Sequence, residues 1–241
     1  MRRLLAVTLA VAGLVLGAAG CGTEGAGRQP QATGSVAAPA RGAVLVAALG
    51  DSINAGSPLW DPNPSTREQI GARVDERSQW EYWVTRSTPG IRFRNCGVFG
   101  ERTDEIAMRL DRCVGGTKAV VIQGGINDIV QGRPVADAAR DLEAMVRRTK
   151  ARRLGVVLVE VLPWNNGFPQ AAPFIDELNR RIHEIGARER VAVLPWFGTL
   201  EDKAKPGRMA PTLTIDGDHP SIEGYRRLAA TVRLPVVPAG R

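Results

Sequence analysis

Three kinds of side chain in this 241-residue chain could act together on an electrophilic carbon: a serine hydroxyl, an imidazole and a carboxylate. Ser52 stands in Gly50-Asp51-Ser52-Ile53, directly after the apolar run Val44 to Leu49, where a nucleophile would emerge from a buried strand. The same position also suits a serine that only caps a following helical turn. A hydroxyl needs a base, and the chain has two histidines. His183 falls in an amphipathic stretch with Leu178 and Ile182 and is expected to sit half exposed on a helix. His219 lies in the polar stretch Asp216-Gly217-Asp218-His219-Pro220. Asp216, three residues earlier, can turn back to the imidazole, hold its tautomer and stabilise the imidazolium formed when the base takes a proton. Asp218 is the alternative acid. The stretch also reads as a turn before a helix, with Pro220 in the first helical turn, where a missing N–H costs nothing. Both accounts can hold at once.

Attack on a carbonyl would also need donors for the developing oxyanion. Gly100, in Asn95-Cys96-Gly97-Val98-Phe99-Gly100-Glu101, offers a backbone N–H where a missing side chain allows close approach. Asn127, in Gly125-Ile126-Asn127-Asp128, offers an amide. Taken singly, both read as turn residues. The Gly-x-Ser-x-Gly elbow occurs nowhere in the chain. Asp216, Asp218 and His219 lack a second histidine or a cysteine nearby to complete a metal site, so no metal is expected there.

These residues must be held by elements, and the chain alternates short apolar runs with amphipathic segments. That alternation predicts a parallel sheet covered by helices. Five strands are expected, at Val44 to Leu49, Ile91 to Asn95, Ala119 to Gln123, Val156 to Val161 and Val191 to Pro195. Consecutive apolar residues, as in Val156-Val157-Leu158-Val159, suit burial on both faces. Helices are expected at Gln79 to Ser87, Thr103 to Cys113, Val135 to Arg152, Phe174 to Arg188 and Ser221 to Val232. In an open parallel sheet the ligand crevice lies beyond the carboxyl ends of the strands, which is where Ser52, Gly100 and Asn127 fall. The long stretch Ile53 to Ser78 reads as a loop and a candidate substrate wall. Trp60, Trp164 and Trp196 read either as sugar or acyl contacts or as cover over the sheet edge.

In combination, Gly50-Asp51-Ser52, Gly100, Gly125-x-Asn127-Asp128 and Asp216-x-x-His219-Pro220 stand in the order of the four blocks of the SGNH hydrolases, also called the GDSL esterase and lipase family. The chain resembles that family from Gly50 to about Leu228. The resemblance implies a flavodoxin-like three-layer α/β/α sandwich with a five-stranded parallel sheet. It implies an acyl-enzyme on Ser52, with Asp216 and His219 as acid and base and with neither metal nor organic cofactor. It assigns the backbone N–H of Ser52, with Gly100 and Asn127, to the oxyanion hole. The expected activity is hydrolysis of a carboxylic ester, short-chain or O-acetyl, on a small-molecule or polysaccharide substrate. Acyl transfer to a glycan or other alcohol, and a non-catalytic envelope protein that binds glycans, are the alternatives.

The ends of the chain bear on where this would happen. Arg2 and Arg3, the apolar run Leu4 to Leu16 and the small residues to Gly20 read as a signal peptide over residues 1–20. Leu16-Gly17-Ala18-Ala19-Gly20-Cys21 is similar to a lipoprotein box, with Cys21 as the candidate lipidated residue and the route to a membrane. Ordinary secretion is the alternative. Residues 21–42 are rich in Gly, Ala, Pro, Ser and Gln and read as a flexible tether, leaving a catalytic domain over 43–241. The protein is therefore expected to be exported, as a cell-surface lipoprotein or secreted. The net charge of +7 is spread through acid-containing helical segments with few aromatics, which argues against nucleic-acid binding. Cys96 and Cys113 can pair after export or remain as buried thiols.

Overall fold

The computed structural model describes residues 42–236. The segment at 1–20, Cys21 and nearly all of the tether at 21–42 lie outside those residues. Five strands form one parallel sheet: β1 (Val44–Gly50), β2 (Ile91–Gly97), β3 (Ala119–Ile122), β4 (Gly155–Val159) and β5 (Ala192–Leu194), in the spatial order β2-β1-β3-β4-β5.

Side chains alternate across a strand, so a continuous apolar run feeds both faces of the sheet. Ala47, Leu49, Val120, Ile122, Val156 and Leu158 pack with one cluster, while Val46, Ala48, Val121, Val157 and Val159 pack with another. The first face is covered by α4 (Thr103–Cys113), α6 (Val135–Ala151) and α7 (Ala172–Glu189) through buried Leu110, Leu142 and Leu178. The second is covered by α3 (Trp80–Ser87), α8 (Trp196–Leu200) and α9 (Ile222–Thr231) through Trp80, Trp196 and Tyr225. The result is the expected three-layer sandwich.

In α7 the buried residues Ile175, Leu178, Ile182 and Ile185 recur every three or four positions, the stripe a one-sided helix needs. Each such side chain contributes roughly 1.5–3 kcal/mol when fully buried. His183, off that stripe, is half exposed, with Nε2 2.7 Å from Glu160 Oε1.

Ile53 to Ser78 is not the plain loop that the sequence suggests. It contains α1 (Ser52–Ala55, starting one residue earlier), α2 (Pro64–Ile70) and a 3₁₀ turn (Gly71–Arg73). A further short helix, α5 (Ile126–Val130), follows β3. Trp196 is fully buried, edge-on to Trp80 with ring centroids 5.7 Å apart, so it is core and not a substrate contact. Trp60 is half-buried under the Arg67 guanidinium, 4.8 Å from its ring centre. Cys96 and Cys113 form a disulfide, Cα to Cα 6.2 Å, joining the end of β2 to the end of α4.

The chain leaves β1 for β2 on one side and later returns to β3 on the other. The strand order therefore reverses beside β1, and the crevice of such a sheet opens at that reversal. Ser52 follows the end of β1.

Candidate active site

The turn out of β1 is set by Asp51, whose buried carboxylate caps α1 by accepting the Ile53 N–H at 2.9 Å. Ser52 is thus the first residue of the helix and not its cap. Gln123, at the end of β3, clamps Asp51 twice. Its Nε2 donates to Asp51 Oδ2 at 2.9 Å, and its Oε1 accepts from the Asp51 N–H at 3.1 Å. Burial pushes the Asp51 carboxyl up to about 6, against the pull of the Ile53 and Gln123 hydrogen bonds and of His219.

Ser52 Oγ lies 3.1 Å from His219 Nε2, although the two residues are 167 apart in sequence. The other ring nitrogen, Nδ1, lies 2.8 Å from Asp216 Oδ2. Asp216 Oδ1 accepts the backbone N–H groups of His219 at 2.7 Å and Asp218 at 2.9 Å. One carboxylate therefore shapes the loop and orients the ring. Burial works against its charge, yet the hydrogen bonds from the His219 ring and those two N–H groups hold the Asp216 carboxyl below the ordinary carboxylate value.

Asp218, the alternative acid, points elsewhere. Its Oδ1 accepts from Trp164 Nε1 at 2.5 Å and from Asn166 Nδ2 at 2.6 Å. Asn166 Nδ2 also donates to the Asp216 carbonyl at 3.0 Å, and the Asn165 N–H to the Gly217 carbonyl at 2.9 Å. Thr214 closes the loop from within, its hydroxyl donating to the His219 carbonyl at 2.9 Å and accepting the Gly217 N–H at 2.8 Å. The loop that carries the acid and base is thus stapled to the segment after β4.

Gly100 comes from the loop after β2 and Asn127 from the first turn of α5, just after β3, so they stand on either side of Ser52. A Cβ on Gly100 would meet no protein atom within 4 Å, and the backbone there has φ at +79°, a conformation that favours glycine. Asn127 Nδ2 donates to the Glu101 carbonyl at 3.0 Å, which ties the two loops together and leaves the second amide hydrogen for another acceptor. Fully buried Asp128 fixes α5 by accepting from the Thr103 N–H at 2.9 Å, from Thr103 Oγ1 at 2.8 Å and from Arg133 Nη1 at 2.5 Å. Arg109 pins the β2 loop to the sheet. It pairs with Glu101 at 2.5 Å and donates to the Cys96 carbonyl at 2.7 Å and the Gly50 carbonyl at 3.1 Å.

Two surfaces flank Ser52. Toward β3 and β4 lies a small pocket of about 20 Å³, lined by Ile53, Ile126, Val161, Leu162, Pro163 and Trp164 and by the polar Gln123 and Asp218. Toward β2 stands Phe99, 67% exposed, its ring centroid 6.2 Å from that of His219 and tilted 30° to it.

All five residues singled out for chemistry lie at the carboxyl ends of the strands, and Ser52, His219 and Asp216 form one hydrogen-bonded chain. An imidazole oriented by a carboxylate and touching a hydroxyl can take that hydroxyl's proton as the oxygen attacks. Sequence reasoning missed Gln123, Arg109, Asn166 and Phe99. The first three act through partners distant in sequence, and Phe99 is distinguished by its exposure and its place beside His219, neither of which a local pattern shows.

The sequence matches the GDSL-like lipase/acylhydrolase family over residues 48–227, most of the chain. Similar solved structures include a GDSL-like lipase from Bacteroides thetaiotaomicron VPI-5482, at 21% identity and TM-score 0.62, covering 81% of this chain and 89% of that one. A member of the lipolytic protein G-D-S-L family from Veillonella parvula DSM 2008 has 18% identity and TM-score 0.63, with 78% and 96% covered. Axe2, an acetylxylan esterase from Geobacillus stearothermophilus, has 20% identity and TM-score 0.61, with 78% and 91% covered. At these identities the likeness establishes the fold. No curated protein matches the sequence. With the family match spanning both Ser52 and His219, the chain belongs to the GDSL-like lipase/acylhydrolase family and is a hydrolase.

Proposed function

We propose that the protein hydrolyses short-chain or O-acetyl carboxylic esters through an acyl-enzyme on Ser52. The observation that carries this is the continuous chain from Ser52 Oγ to His219 Nε2 at 3.1 Å and from His219 Nδ1 to Asp216 Oδ2 at 2.8 Å. Ser52 Oγ attacks the carbonyl carbon while its proton passes to His219 Nε2. The negative charge collects on the carbonyl oxygen, facing the N–H groups of Ser52 and Gly100 and the free amide hydrogen of Asn127. Collapse breaks the bond to the alcohol oxygen, which leaves with the proton from His219. Water then repeats the sequence on the acyl-serine, giving free acid and restoring Ser52. Asp216 holds the ring and offsets the charge of the imidazolium.

The preference for a short acyl group rests on the pocket beside Ser52. At about 20 Å³ it accepts roughly one water-sized group, the scale of a methyl, and Ile53, Ile126, Val161 and Leu162 make much of its lining aliphatic, beside the polar Gln123 and Asp218. The acetylxylan esterase among the similar folds is in keeping with an acetyl substrate. The Cys96–Cys113 disulfide suits an oxidising compartment and supports the reading of residues 1–20 as an export signal. The test is turnover of 4-nitrophenyl acetate. Ser52→Ala should lower kcat by at least about 10⁴ and abolish labelling by a fluorophosphonate, with thermal unfolding little changed. Undiminished turnover in a folded Ser52→Ala protein would sink the assignment.

A further inference from the structure

The alcohol half of the ester must leave from a particular side, and the two flanks of Ser52 differ. The pocket toward β3 and β4 is small, lined by aliphatic Ile53, Ile126, Val161 and Leu162 together with Trp164 and the polar Gln123 and Asp218. The flank toward β2 carries Phe99, a large apolar ring held out into solvent at 67% exposure. An exposed phenylalanine alone is unremarkable on a protein surface. This one lies beside the imidazole, at 6.2 Å between centroids, and immediately precedes Gly100.

The chemistry connects those facts. As the bond from Ser52 Oγ to the acyl carbon forms and the ester C–O bond breaks, the departing alkoxide takes the proton that His219 Nε2 received from Ser52. The departing alcohol therefore lies against the imidazole at that moment. With the acyl group in the pocket on one side, the alcohol extends toward the other, over Phe99. The loop that carries this ring is itself anchored, since Gln131 Nε2 donates to the Gly100 carbonyl at 3.0 Å and Arg109 pairs with Glu101.

We infer that Phe99 is the platform for the alcohol portion of the substrate, and that the preferred alcohols carry a ring with a flat apolar face, an arene or the C–H face of a pyranose. This rests on the ester-hydrolase reading above and adds the half of the substrate that the reading leaves open. Phe99 acts as a specificity residue; it takes no part in bond making. Offset ring contacts of this kind persist in the transition state and the ground state alike, so their loss should fall chiefly on KM.

The experiment compares wild type with Phe99→Ala and Phe99→Trp on three acetates followed by acid release: ethyl acetate, benzyl acetate and an acetylated methyl xylopyranoside. Phe99→Ala should lower kcat/KM for one or both ring esters at least about fivefold more than for ethyl acetate. The loss should lie mainly in KM, and Phe99→Trp should restore it. Loss confined to the benzyl ester identifies an arene, and loss confined to the pyranoside identifies a sugar. Equal change on all three esters, or a loss lying wholly in kcat, overturns the inference. Failure of the hydrolase reading looks different: wild type would then release acid from none of the three and resist the fluorophosphonate.

Discussion

Asp51 sits directly behind the proposed nucleophile, fully buried, and its charge state should be readable in the stability of the protein. Burial raises its pKa from 3.8 to about 6. With the folded value above the unfolded one, the carboxyl binds its proton more tightly in the folded protein. The stabilisation so gained is complete below about 3.8 and is lost as pH rises through about 6. A shift of about two units, at about 1.4 kcal/mol each, makes the Asp51 contribution roughly 3 kcal/mol less favourable at pH 8 than in acid. Asp51→Asn does not titrate in this range. Its amide would meet Gln123 Nε2, donor against donor. Turning Gln123 around would strip the Asp51 N–H of its acceptor, since Gln123 Oε1 fills that role at 3.1 Å. The variant therefore carries a fixed cost of about 1–3 kcal/mol for an unmet buried donor. Urea unfolding followed by tryptophan fluorescence, from pH 4 to 8, gives both stability curves. Other carboxylates cancel in the difference, so the wild type should lose roughly 2–2.5 kcal/mol relative to the variant between pH 4 and pH 8. Parallel curves would refute the claim that Asp51 is a buried, titrating clamp.

Two further outcomes follow from the same structure. Asn127→Ala removes a proposed oxyanion donor and should lower kcat on 4-nitrophenyl acetate by about 10²–10³, with KM changing far less; a loss confined to KM would contradict the role. Replacing both Cys96 and Cys113 by Ala should reduce stability by about 3 kcal/mol, and a reducing agent should shift wild-type unfolding by a similar amount while leaving the variant unmoved.

The strands and long helices were legible because each carries enough residues for its period to show. Thr103–Cys113 was read to the residue, and β1 and β2 differ from expectation only at their carboxyl ends. Helices of four to seven residues such as α1, α2 and α5 have no repeat to detect, and they are held by caps and by distant partners. The site follows the same division. Ser52, Asp216 and His219 were legible because the chain has only two histidines and one of them lies in a loop with an acid. Gln123 clamps Asp51 from 72 residues away, Arg109 reaches Gly50 across 59, and Asn166 holds Asp218 across 52. No local pattern announces such pairings. Gly100 was legible as a glycine next to the site, whereas its positive φ is visible only in the structure.

Two other glycines explain why Ser52 can be presented without contacts of its own making. A Cβ on Gly97 would stand 2.0 Å from the Ala55 backbone nitrogen, so α1 lies directly on the bare backbone of β2. A Cβ on Gly50 would stand 2.4 Å from Gln123 Oε1 and 2.8 Å from Asn54 Nδ2, so the clamp on Asp51 fits only against glycine. The nucleophile's backbone is thus positioned by close approach on one side and by a capping carboxylate on the other. The serine hydroxyl, relieved of capping, is left to meet His219. It follows that removing this hydroxyl should disturb little besides the hydrogen bond to the imidazole. Loss of turnover in Ser52→Ala would then report on chemistry, whereas the same loss in Gly97→Ala would report on the fold.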